Sequence, residues 1–140
     1  MKFGKVNLIA GTTGLLLAAL GGMALGATFD QYSIKDGNHI LSEVRFYLRE
    51  GHSHGMPIAM LNLIVGVLVD RLNLSDLLKR ITGILAILAF MLPIGLAAKG
   101  AAGASPTFPP IGMVGVIGFV GCVVLLLIGS IRMATTRAPA

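Results

Sequence analysis

Charge is scarce in this chain and tryptophan is absent. Only 12% of its 140 residues are charged, 55% are hydrophobic, and the mean hydropathy is +0.87. A soluble domain carries about a quarter charged residues, so a chain this short and apolar lacks the polar surface to cover a core in water. The single cysteine, Cys122, excludes an intrachain disulfide. There is no glycine-rich phosphate loop, no GxSxG elbow and no carboxylate pair in a defined setting, so no catalytic motif points to an enzyme. No Asp, Glu, Lys or Arg falls deep inside a long apolar run. Ion-coupled carriers commonly place a carboxylate there, and the first-helix glutamate of small multidrug transporters has no counterpart. The net charge of +5 comes from basic residues at the ends of apolar runs. They form no single patch, which argues against a nucleic-acid partner.

What the chain does have is four apolar runs, at residues 7–29, 54–69, 78–98 and 111–133. Crossing about 30 Å of hydrocarbon takes roughly 20 residues, and in lipid the backbone must satisfy its own hydrogen bonds, so these runs are expected as helices. No alternating strand pattern competes with them. The expected fold is therefore all-α and polytopic, a single four-helix transmembrane domain over 1–140. Lys2, Lys5 and the small residues Ala24-Leu25-Gly26 also resemble a secretory leader, but the first run is longer than a leader core and reads as a membrane helix.

Four spans put both termini on the side of the loop near residues 70–80. That side carries Lys2, Lys5, Arg71, Lys79, Arg80, Arg132 and Arg137, against Lys35, Arg45, Arg49 and Lys99 on the other. The excess places the termini in the cytoplasm, in an inner or plasma membrane.

Small residues recur in rows: Ala10, Gly14, Ala18, Gly22 and Gly26 in the first run, and Gly112, Gly115, Gly118 and Gly121 in the last. Such rows let backbones approach, and they are candidate faces for packing within the bundle, against other membrane subunits or between copies of the chain. Between the first two runs, Ile40, Leu41, Val44, Tyr47 and Leu48 gather on one helical face. They predict a short amphipathic outer helix over 39–50, capped by Asn38 and ended by Gly51.

The one concentration of ligand-type side chains is His52-Ser53-His54-Gly55-Met56-Pro57. Histidines two apart lie about 200° apart on a helix, so they converge on one ligand only if the backbone turns at Ser53. Gly51 and Gly55 make such a turn feasible, and Pro57 fits the first turn of a following helix. His52 and His54 are the candidate cofactor ligands, with His39 and Met56 as further candidate metal ligands, because imidazole and thioether together suit copper. The bland alternative is that the histidines are interfacial polar residues and the methionine is filler. Asn62, deeper in the second run, is expected to seek a hydrogen-bond partner on another helix.

The string GHSHGMPIAMLNLIVG, residues 51–66, resembles the histidine-bearing helices of haem–copper oxidase subunits and their small relatives. The resemblance implies His52 or His54 as an axial haem ligand. The further histidines of an oxidase core are missing, so oxygen reduction is not implied. The leading expectation is a structural or accessory subunit of a larger membrane complex. The alternative is a copper-, haem- or quinone-binding module at the His-x-His site, and the second alternative is a small transporter or channel.

Overall fold

The computed structural model describes residues 1–28, 43–103 and 110–136. Among these it is all-helical, and four stretches are long and apolar enough to cross a membrane: Lys5–Ala27, Val44–Arg71, Asp76–Ala101 and Pro110–Thr136. The first stretch is helix α1 (Lys5–Ala27), and the second is α2 (Glu43–Leu68) closed by a 3-10 turn, Val69–Arg71. The third comprises α3 (Asp76–Leu88) and α4 (Met91–Ala101), and the last is α5 (Pro110–Thr136).

The third stretch divides at Ala89 and Phe90 because Pro93 has no N–H to give the Ala89 carbonyl. Leu92 N donates to that carbonyl instead, at 3.1 Å, and tightens the chain. Span two packs against α1 on one side and α4 on the other, and α5 lies along both halves of the divided span. Spans two and three are accordingly the central pair, with 44% and 39% of their apolar windows buried, against 6% for α1 and 22% for α5.

The glycine row of α5 makes its packing possible. Gly112, Gly115 and Gly118 are buried. A Cβ on Gly118 would stand 2.8 Å from Ala89 N and Leu85 O, and one on Gly115 would run into Leu92 N. This face is therefore occupied within the chain. On α1 the expected row is packed through its middle and not at its end: Gly14 lies against Phe90, Ala18 is buried and Gly22 lies against His52, but Gly26 meets nothing within 4 Å, while Gly4, just before the helix, and Gly11 pack on Gly66 and Leu63. The row drifts because 3.6 residues per turn carries a four-residue repeat off a straight contact line.

Polar groups in the core are paired across helices. Asn7 Nδ2 donates to Asn62 Oδ1 and to Gly83 O, both at 2.9 Å, while Asn62 Nδ2 donates to Ala86 O at 2.7 Å and Ile58 O at 3.0 Å. Asn62 thus finds the interhelical partner expected of it, and the network ties α1, α2 and α3 together. At one end of the bundle Asp70 accepts from the Lys2 and Phe3 amides at 2.9 and 3.0 Å, and Lys2 Nζ reaches Asp76 at 2.7 Å. Gly129 of α5 packs on Leu72 and Leu74 at the same end.

Helix α2 begins well before the expected 54–69 span. It runs without interruption through Gly51, so Gly51 ends no helix, and Pro57 lies inside it instead of in its first turn. Tertiary contact explains this: a Cβ on Gly51 would stand 3.0 Å from Ala97 N and Pro93 O, so glycine is what lets α4 close on α2. Asn38, residues 39–42 of the expected outer helix and Phe108 lie outside the described residues.

Candidate functional site

Because α2 is continuous, the two histidines diverge. His52 turns toward α1, with Nδ1 2.8 Å from Ala18 O. His54 turns away, with Nδ1 2.9 Å from Glu50 O and 3.7 Å from a Glu50 carboxylate oxygen. Met56 is exposed, and His39 lies outside the described residues. The structure therefore does not bring His52 and His54 onto one ligand. No group of three His, Cys, Asp or Glu among the described residues is placed to hold a metal ion.

What His52 does face is an apolar groove of about 820 Å³. One wall is α1, lined from Val6 to Thr28, which at 1.5 Å per residue is about 33 Å, the full depth of a bilayer core. Phe90, Pro93, Ile94 and Ala97 form the opposite wall, and Gly51, His52 and Gly55 of α2 form the floor. The groove is open for want of side chains: a Cβ on Gly21 would meet nothing within 4 Å, and one on Gly55 would make only ordinary contacts at 3.8 Å.

The tautomer of His52 follows from its partner. A carbonyl only accepts, so Nδ1 carries the proton and donates to Ala18 O. In the neutral ring Nε2 is then an acceptor, and it has no protein partner among the described residues. The ring also lies against Gly22, one turn further along α1, where a Cβ would stand 2.6 Å from His52 Cε1 and 3.1 Å from Nε2. A fixed imidazole thus keeps one ring nitrogen without a protein partner among the described residues, beside a groove that is apolar but for Thr13 and Thr28.

Arg45 is a second residue whose role was hidden in the sequence, where it counted only as an outer charge. It is buried and donates to Leu25 O at 2.7 Å and to Thr28 Oγ1 at 3.1 Å, closing the C-terminal end of α1. A cation there meets orphan carbonyls and the negative end of the helix dipole, and it braces the end of α1 whose Leu25 and Thr28 line the groove. No signal in the sequence distinguishes Arg45 from Arg49, whose side chain is 56% exposed.

No family model, no curated protein and no solved structure matches the chain.

Proposed function

We propose that the chain is a small membrane-embedded binding module for a lipid-soluble ligand of the quinol class, held in the groove with its hydroxyl on His52 Nε2. The observation that carries this reading is the position of His52: an ionisable side chain inside a span, facing an apolar groove, with one ring nitrogen committed to Ala18 O and the other to no protein atom among the described residues. Ionisable residues are expensive at that depth and by default mark function. A neutral imidazole with Nδ1–H engaged seeks a donor, and among apolar membrane solutes a phenolic O–H supplies one while an isoprenoid tail suits the walls. The accessory-subunit reading keeps one specific support, the face of α1 away from the groove, where Leu16 and Met23 are exposed.

Two variants test the binding reading by titration of a short-chain quinol into purified protein. His52→Leu removes the acceptor and is expected to weaken binding about 3- to 10-fold, the worth of one hydrogen bond. Gly21→Leu fills the groove with no clash at its Cβ, so it is expected to fold as well as the parent and to bind at least tenfold more weakly. Wild-type protein with no quinol affinity, or a Gly21→Leu variant that binds unchanged, would overturn the assignment.

The same proposal includes orientation, with both termini cytoplasmic, supported by the seven-to-four division of basic residues given above. Lys5 and Ala102 are exposed at opposite ends of the spans, while Cys122 is buried. An impermeant thiol reagent applied outside is expected to label Ala102→Cys and not Lys5→Cys. The reverse pattern would invert the topology.

A further inference from the structure

A second polar group stands apart from the groove. Lys99 lies in the last turn of α4 and is only 8% exposed. Its ammonium sits 4.1 Å from the centroid of the Tyr47 ring. Among the described residues no carboxylate, carbonyl or hydroxyl accepts from Lys99, and the Tyr47 hydroxyl likewise has no hydrogen-bond partner. Among the described residues no side-chain nitrogen that is itself sealed from the surface lacks a partner. The Lys99 tip therefore opens onto the surface while its stem is buried.

An ammonium has three donors and no acceptor capacity. A ring face offsets part of its desolvation but accepts none of those hydrogen bonds in the ordinary sense. The position decides what else is at hand. Lys99 is two residues from the end of the Asp76–Ala101 span, at headgroup depth, where lysine stems lie along apolar surface and their tips reach outward. The neighbouring turns of α2 are close: a Cβ on Gly100 would be 2.9 Å from Val44 O. On those turns Arg45 is committed to the end of α1, and Glu50 lies 3.6 Å from Arg49.

We infer that Lys99 and the Tyr47 hydroxyl form a binding site for the phosphate of an anionic phospholipid, seated at the end of the bundle where α4 meets α2. The phosphate oxygens accept from the ammonium and from the hydroxyl, the Tyr47 ring holds the cation in place from below, and the acyl chains run down the lipid-facing side of α4. A zwitterionic lipid brings its own ammonium toward Lys99, so the site favours a headgroup without one. This inference does not depend on the quinol reading, because neither residue lines the groove.

Native mass spectrometry of the intact chain, released from micelles containing phosphatidylglycerol or phosphatidylcholine, tests it. Wild type is expected to retain phosphatidylglycerol in preference to phosphatidylcholine. Lys99→Gln, which keeps length and loses charge, should retain it about tenfold more weakly, and Lys99→Arg should largely preserve retention. Gly21→Leu should leave retention unchanged, which separates this site from the groove. If Lys99→Gln fails to fold, Tyr47→Phe carries the test, since it keeps the ring and removes the hydroxyl, and a loss of about threefold is expected. Equal retention by wild type and the folded variant would overturn the site. Displacement of the lipid by millimolar inorganic phosphate, itself lost in Lys99→Gln, would overturn the lipid as its source.

Discussion

Gly115→Leu is expected to detach α5 from the bundle, with a loss of folding stability of at least about 3 kcal/mol. The new Cβ would overlap the backbone nitrogen of Leu92 and stand 2.7 Å from its Cα, and backbone cannot rotate aside as a side chain can. Leu92 is fixed by its own bond to the Ala89 carbonyl at the division of the third span. Relief therefore requires the helices to separate along the whole row that Gly112, Gly115 and Gly118 bury. Gly121→Ala is the control on the same helix. Its Cβ would stand 3.1 Å from Leu85 Cδ1, the mobile end of a side chain, and alanine gains about 1 kcal/mol of helix propensity over glycine. Thermal unfolding in one detergent compares the two. If Gly115→Leu melts with wild type, the close approach of α5 to α4 is not part of the folded state.

The four spans were legible because hydropathy needs no knowledge of neighbours. Their ends were not. Residues 43–53 read as surface helix, break and metal motif because Arg45, Glu50, Gly51, His52 and Ser53 are poor membrane residues by composition. Each is accommodated by something outside its own segment or by the helix itself: Arg45 by the C-terminus of α1, Glu50 by Arg49 at 3.6 Å, His52 by Ala18 O, Gly51 by the approach of Ala97, and Ser53 by the Glu50 carbonyl at 3.1 Å. Those contacts carry the helix through a stretch that local preference would end. The histidine pair was read for convergence, and helical geometry separates it. The groove was invisible for a different reason, since it is opened by glycines on α1 and α2 and no motif records an absence. Asn62 was legible in kind, because a lone amide in hydrocarbon must find a partner. Asn7 as that partner was not, since it sat at the polar edge of the first run.

That pair bears the other large effect. Asn62→Asp is expected to destabilise the fold by about 3–5 kcal/mol, the cost of a buried charge left without compensation. The asparagine amide is both donor and acceptor: Oδ1 takes a hydrogen bond from Asn7, while Nδ2 gives two, to Ala86 O at 2.7 Å and Ile58 O at 3.0 Å. A carboxylate of the same shape keeps the first and turns both of the others into oxygen facing oxygen, at a site with no exposure to water. A protonated carboxyl restores only one of the two donations. Thr82→Val is the comparison, because Thr82 is as buried but bonds the carbonyl of its own turn, Leu78 O at 2.8 Å. Its loss is expected to cost about 1 kcal/mol or less. Unfolding of the two variants, compared with wild type in one detergent, separates burial of a polar group from its role as a tie between helices. Equal losses would mean that the Asn7–Asn62 bridge contributes nothing beyond its own satisfaction.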